Sequence, residues 1–172
     1  MNKNTQILVA LVEDSPGVLT RISSLFSRRR FNIISLTVGQ TERKGISRMT
    51  VAVDSTSTNV EQVIKQMYKI VNVLKVSDVT KDATVIRETA LVKVSATKSN
   101  RTEVLQMVEI FRAKVVDVTL DSMIVELSSH PDKINSFIEL VSSFGIKELV
   151  RTGVTVMNRG KSGEIKLKQK QK

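Results

Sequence analysis

The chain has 172 residues, of which 41% are hydrophobic and 26% are charged, and its formal net charge is +10 at pH 7. This composition is typical of a globular protein with one ordinary domain or two small ones, and no apolar run approaches the ~20 residues that a membrane-spanning helix needs. Cysteine is absent, which excludes disulfides, thiolate nucleophiles and cysteine metal ligands. The first residues lead directly into a predicted strand, so we expect no targeting segment.

The first half of the chain alternates between strand and helix patterns. Runs of apolar β-formers predict the strands, and apolar residues at helical spacing, such as Val18, Ile22 and Leu25, predict the helices. In chain order the predicted elements are strand 6–13, helix 17–29, strand 32–40, strand 46–54, helix 59–70 and strand 71–79. This βαββαβ order is that of the ferredoxin-like folds.

The second half repeats the order after a join at residues 81–84. The predicted elements are strand 89–96, helix 101–111, strand 114–119, strand 123–128, a helix with Pro131 in its first turn, and strand 146–151. The sequence therefore predicts an α+β protein of two ferredoxin-like βαββαβ modules in tandem, at residues 5–80 and 84–158. Each module is small for a stable hydrophobic core of its own, so we expect the two modules to pack against one another or against a partner chain.

Half of the net positive charge lies in residues 159–172. Residues 159–172 contain six Lys or Arg residues and one Glu, a net charge of +5. The segment lacks apolar periodicity, which predicts a disordered basic tail. A solubilising role is the favoured interpretation, and nonspecific phosphate contact by these lysines stays open.

The loop before the first helix reads Asp14-Ser15-Pro16-Gly17 and is followed by Val18. Asp14 or Ser15 can cap the helix and Pro16 suits its first turn, while Gly17 leaves the backbone bare. Free amides at a helix N-terminus beside a carboxylate suit a zwitterion, because the amides take its carboxylate and Asp14 takes its ammonium. The alternative is a well-capped helix start that binds nothing.

The second strand of a ferredoxin-like sheet lies at an edge, and residues 32–38 contain neither a charge nor a proline. An exposed edge of strong β-formers is an aggregation hazard unless another strand pairs with it. Pairing with the same strand of a second copy would remove the hazard and produce a homodimer with one continuous sheet. The alternative is that a loop or the second module covers the edge.

Several segments resemble the small, regulatory subunit of acetolactate synthase (acetohydroxyacid synthase), over residues ~5–160. The segments that carry the resemblance are residues 11–19, 25–29, 31–38, 47–50, 88–94, 110–113 and 151–153. The N-terminal module of that family is an ACT domain, a ligand-binding βαββαβ unit. The resemblance implies that the second module is the family's C-terminal ACT-like domain.

The resemblance implies a regulatory subunit that has no catalytic residues, cofactor or metal site of its own. Its partner would be a large catalytic subunit that joins pyruvate units with thiamine diphosphate, Mg²⁺ and FAD. The small subunit would activate this partner and convey feedback inhibition by valine or another branched-chain amino acid. Such a protein is expected in a bacterial cytoplasm or, if it is organelle-encoded, in the plastid stroma.

The resemblance also implies an effector site between two ACT domains, formed by the helix-one loop of one protomer and the start of strand two of the other. The matching positions are Asp14, Ser15, Pro16, Gly17, Val18, Asn32 and Ile33. Two positions depart from the family. Some members have asparagine in place of Asp14, and glycine is frequent in place of Arg30. A non-glycine residue in a left-handed helix ending costs about 1 kcal/mol, and a different helix ending would avoid that cost.

Other classes of protein fit less well. RNA-recognition domains share the βαββαβ order, but they stack bases on aromatic residues of the two central strands, and the corresponding predicted strands here contain none. Specific nucleic-acid binding is therefore not expected. An independent enzyme is disfavoured because the only histidine, His130, precedes Pro131 at a helix start, where a cap or loop role is ordinary. The remaining alternative is a stand-alone ACT-type amino-acid sensor that regulates another enzyme.

Overall fold

The computed structural model describes residues 4–56 and 59–160. Thirteen helices and strands follow one another in these ranges: β1 (Thr5–Glu13), α1 (Val18–Arg28), β2 (Ile33–Gln40), β3 (Ile46–Asp54), α2 (Val60–Met67), β4 (Val73–Asp78), β5 (Thr84–Ser95), α3 (Arg101–Phe111), β6 (Lys114–Val118), β7 (Ser122–Ser129), α4 (Pro131–Ser142), β8 (Ile146–Arg151) and β9 (Thr155–Asn158).

The first module is a four-stranded antiparallel sheet with the order β2-β3-β1-β4. Strands β1 and β3 are central and pair along their whole length, from Thr5↔Asp54 to Glu13↔Ile46. The apolar sides of α1 and α2 pack on one face of the sheet and bury Phe26 and Met67 against it. The predicted βαββαβ order and the edge position of the second strand are both confirmed.

The second module has the same architecture, with the sheet order β6-β7-β5-β8 and helices α3 and α4. Phe137 and Ile134 of α4 are fully buried in its core. Pro131 is the first residue of α4, and the side chain of His130 caps this helix by accepting a hydrogen bond from the backbone N–H of Asp132. The predicted cap role of His130 is therefore confirmed. Glu88 is buried and forms a two-pronged ion pair with Arg151, which raises the pKa of the guanidinium.

Helix α1 ends in the left-handed conformation despite its non-glycine residue. Arg30 has a φ of 55°, its N–H donates to the carbonyl of Ser27, and the N–H of Phe31 donates to that of Phe26. These two bonds form a Schellman ending. The rings of Phe26 and Phe31 meet edge to face with centroids 5.9 Å apart, and this contact offsets the backbone cost.

The end of the chain returns to the first module. The short strand β9, which the sequence did not predict, pairs with β5, and Val154 and Val156 are buried. Arg48 of β3 donates from Nη2 to the carbonyl of Val156 at 2.8 Å, and its partial burial lowers the pKa of its guanidinium. By their contacts, the residues up to Val85 and those from Val154 form one compact unit.

The second compact unit comprises Ile86–Gly153, whereas the predicted second module ran from residue 84 to residue 158. The difference at its end arises because Val154 and Val156 find their buried positions in a part of the chain that is distant in sequence. The predicted basic tail also begins differently. Arg159 donates from its backbone N–H to the carbonyl of Ala83 at 2.8 Å, and residues 161–172 lie outside the described ranges. Within those ranges, no helix is long and apolar enough to cross a membrane.

Candidate functional site

The loop between β1 and α1 takes a different form from the predicted cap. Gly17 is itself the N-cap, with a φ of 83°, and among the described residues no side chain caps this helix end. Asp14 and Ser15 are therefore not caps, and Pro16 precedes the helix instead of lying in its first turn. The predicted cap by Asp14 or Ser15 and the predicted place of Pro16 in the first turn were wrong. The left-handed turn at Gly17 moves the helix start one residue beyond the predicted position.

This turn exposes the backbone at the start of α1. The first N–H groups of any α-helix lack intrahelical acceptors, and the helix dipole adds partial positive charge there. The first turn of α1 contains no acidic residue that would neutralise this charge. Residues 14–17 are exposed, and Val18 is buried and anchors the turn on the core. The loop therefore leaves the start of α1 exposed and without a negative charge in its first turn, a geometry that suits an anion.

Asp14 is fixed by the hairpin between β2 and β3. Its backbone N–H donates to the carbonyl of Gly45 at 2.9 Å, and its Oδ2 accepts a hydrogen bond from Nε2 of Gln40 at 3.1 Å. Gln40 is the last residue of β2. The carboxylate stays exposed, so it can hold an ammonium group next to the helix start. Sequence analysis missed Gln40 because no local pattern links two residues 26 positions apart.

Asn32 and Ile33 lie at the opposite end of β2. The carbonyl of Asn32 accepts from the N–H of Asp54, and Ile33 pairs with Val53. Strand β2 is eight residues long, so its two ends are roughly 24 Å apart at the rise of a β-strand. One chain therefore does not bring Asn32 and Ile33 together with the loop that contains Asp14 and Gly17.

The two edges of the first sheet differ in how their backbone is covered. At the β4 edge, the hydroxyl of Tyr68 donates to the carbonyl of Val76 and accepts from its N–H, both at 3.1 Å. In the described part of the chain, β2 pairs with β3 alone. The exposed fractions of Ile34 and Val38 on β2 are 52% and 44%. The β2 edge is therefore uncharged and partly exposed, and the hydroxyl of Ser35 on this strand accepts a hydrogen bond from the N–H of Val154 at 3.5 Å.

In the described ranges, no three His, Cys, Asp or Glu side chains lie close enough together to hold a metal ion. The loop at Gly17 and the groups around it are suited to hold a small charged molecule by hydrogen bonds and charge. Two ferredoxin-like modules with such a loop in the first define a tandem protein of the ACT class.

Comparisons with known proteins identify the family. A model described as the AHAS small subunit-like ACT domain matches residues 8–75, and one described as the small subunit of acetolactate synthase matches residues 87–160. The chain is 48% identical over 161 residues to the probable acetolactate synthase small subunit of Methanothermobacter thermautotrophicus, covering 93% of this chain and 96% of that one. It is 47% identical over 156 residues to the acetolactate synthase small subunit of Bacillus subtilis, covering 90% and 91%.

A solved structure agrees with these relatives. The crystal structure of the acetolactate synthase small subunit from Thermotoga maritima superposes with a TM-score of 0.83 at 39% sequence identity, covering 91% of this chain and 98% of that one. The chain belongs to the acetolactate synthase small-subunit family.

Proposed function

We propose that this chain is a regulatory subunit that activates the catalytic subunit of acetolactate synthase and conveys feedback inhibition by valine. In this proposal valine binds at the interface of two first modules, to Asp14, Ser15, Pro16, Gly17 and Val18 of one protomer and Asn32 and Ile33 of the other. The observation that carries the proposal is the separation of these two residue sets within one chain, at opposite ends of β2.

A two-fold pairing of β2 strands would reunite the two sets. When two copies of one strand pair antiparallel, the start of each lies beside the end of the other. The end of β2 is Gln40, which holds Asp14. Antiparallel pairing would therefore bring Asn32 and Ile33 of one copy towards the Asp14–Gly17 loop of the other. The uncharged β2 edge, with Ile34 and Val38 exposed, supports this pairing, whereas the backbone of Val76 on β4 is already bonded to the hydroxyl of Tyr68.

The chemistry of the loop supports an amino acid as the ligand. The backbone amides at the start of α1 would hold the carboxylate of valine, with the help of the helix dipole. The exposed carboxylate of Asp14 would hold its ammonium group, and Ile33 of the other protomer offers an apolar contact for a small aliphatic side chain. In this proposal the reaction itself belongs to the catalytic subunit, which would bring thiamine diphosphate, Mg²⁺ and FAD.

Co-purification with an acetolactate synthase large subunit tests the proposal. We expect a stable complex in which the rate of pyruvate condensation exceeds that of the large subunit alone. Valine should then lower this rate, with leucine and isoleucine titrated in parallel to rank the effectors and alanine as the control for side-chain size. A large subunit whose rate is unaffected by this chain would refute the proposed activation. Activation without inhibition by any branched-chain amino acid would refute the proposed feedback.

A further inference from the structure

A basic groove runs along the outer side of α1, and we call it the α1 groove. It has a volume of about 590 Å³ and lies between Arg21, Ser24 and Arg28 of α1 and the turn after α2, which contributes Lys69 and Val71. A second cavity of about 350 Å³ shares Arg28 with the first and is also lined by Arg29 and Gln66. In the described part of the chain, all the charged residues that line the two cavities are cationic.

The cations of the α1 groove are spread along it. Arg21 and Arg28 are two helical turns apart on the same side of α1, about 10 Å along the helix axis, and Lys69 lies on the opposite wall. Four cations line the two cavities and no carboxylate is among their described lining residues, so the potential there is positive. Because the cations are distributed along α1 and the turn after α2, they suit a ligand with several carboxylates along its length.

Neighbouring polar groups hold part of this surface in place. Nη1 of Arg21 donates to Oδ1 of Asn72 at 2.6 Å, and Nδ2 of Asn72 donates to Oε2 of Glu13 at 2.7 Å. Val71, beside this chain of hydrogen bonds, is 87% exposed. The groove thus combines ordered cations with an exposed apolar side chain at one wall, a combination that suits a protein segment better than a free inorganic ion.

We propose that the α1 groove binds an extended acidic segment of the catalytic subunit. This inference rests on the proposed function, because it names the same partner. Gly17, at the start of α1, also lines the groove, so one helix carries the effector loop at its end and the partner's segment along its side. Effector binding and partner binding would then be linked through α1, and each would change the affinity for the other by the same factor.

A pair of charge-reversal variants tests the groove. R28E/K69E reverses two groove cations that lie outside the effector loop, and K44E/K81E reverses two exposed lysines elsewhere in the first unit. Both variants lower the net charge by the same amount. We expect R28E/K69E to weaken large-subunit binding at least about tenfold and K44E/K81E to change it less than about threefold. Circular dichroism and thermal unfolding of both variants should match those of wild type, which establishes that the fold is intact.

Carbodiimide cross-linking of the wild-type complex provides a direct readout, because it joins a lysine amine to a carboxylate in contact with it. We expect Lys69 to be joined to an Asp or Glu of the large subunit and Lys44 to remain unjoined. If R28E/K69E and K44E/K81E bound the large subunit equally well, the proposed role of the α1 groove would be refuted, while the proposed function would stand. Binding of inorganic pyrophosphate that depends on Arg28 and Lys69, with large-subunit affinity unchanged, would make the groove a small-anion site instead. A wild-type chain without affinity for the large subunit would overturn this inference and the proposed function together.

Discussion

The loop before the first helix of each module is built differently in the two modules. In the first module, Gly17 turns the backbone into α1 and leaves the helix start open. In the second module, Asn100 accepts a hydrogen bond from the N–H of Thr97, and Arg101 fills the space beside α3 by donating to the carbonyls of Ala96, Thr119 and Leu120. Among the residues that the structure describes, neither helix start receives a hydrogen bond from a side-chain cap, but the loop of the second module is held by the side chains of Asn100 and Arg101.

The edge strands of the two modules differ in the same sense. Strand β2 has no charged residue, whereas β6, at the corresponding position, carries Lys114 and Asp117. Charges on an edge strand discourage pairing with a second chain. The comparison teaches that one architecture, used twice, has an uncharged edge strand and a loop turned by glycine in its first copy, and a charged edge strand and a loop held by Arg101 in its second.

The largest effect is expected at the β2 edge. Lysines at Ile34 and Val38 should abolish self-association and with it valine binding, because both positions are exposed and charges would oppose strand pairing. Leu36 packs against the core, so a lysine there would damage the fold and confuse the result. The matched control is V116K/V118K on β6, which should leave the dimer intact. Sedimentation velocity checks both variants, and a wild-type monomer that still binds valine would contradict the proposed interface.

The next largest effect is expected when the second module is removed. A chain that ends at Thr80 lacks Val154 and Val156, and each buried valine stabilises by about 1.5–3 kcal/mol. We therefore expect it to be several kcal/mol less stable than a chain in which a short Gly-Ser linker replaces residues 86–153. Urea unfolding measures the difference. The linked chain should bind valine and activate the large subunit only weakly. Equal activation by the linked and full-length chains would show that the second module adds nothing to partner contact.

Gly17→Asp should weaken valine binding without unfolding the protein. A Cβ at Gly17 would meet no atom within 4 Å, but a side chain at its φ of 83° costs about 1 kcal/mol in backbone strain. Gly17→Asn carries the same strain, so the difference between the two variants reports the negative charge beside the ligand carboxylate. Two like charges 4 Å apart repel by about 1–4 kcal/mol, and 1.4 kcal/mol is about tenfold in affinity. The control is Gly17→Asn, which has the same shape without the charge and should bind valine more tightly than Gly17→Asp. Calorimetry decides, and unchanged affinity in Gly17→Asp would exclude this loop as the effector site.

The smallest effect is a change in stability, expected at the C-terminal ends of α1 and α3, which have the same backbone conformation in the two modules. Arg30 and Arg112 have φ values of 55° and 53°, so replacing either with glycine should stabilise the protein by roughly 0.5–1 kcal/mol. Thermal unfolding measures both variants. A gain in one module alone would show that the two helix endings, although alike in backbone, differ in how much strain their surroundings retain.

Much of this fold could be predicted from the sequence because its elements have strong periodicity and clear breaks. The observed β3, α3 and β8 begin and end where they were expected. Strand β9 could not be predicted, since four residues carry too little pattern and their burial depends on residues far away in the chain. The same limit applies to the candidate site. The residue types at Asp14 and Gly17 indicated the chemistry, but the support from Gln40 and the true position of the cap depend on tertiary structure.

The return of β9 to the first module has a consequence for how the protein is made. The nascent chain leaves the ribosome with its N-terminus first, and domains generally fold as they emerge. Here Ile86–Gly153 is available as a complete unit before Val154 and Val156 reach the first unit. The module that is synthesised first is therefore the last to be completed. A nascent chain that stops short of β9 would have a finished second module and an unfinished first module.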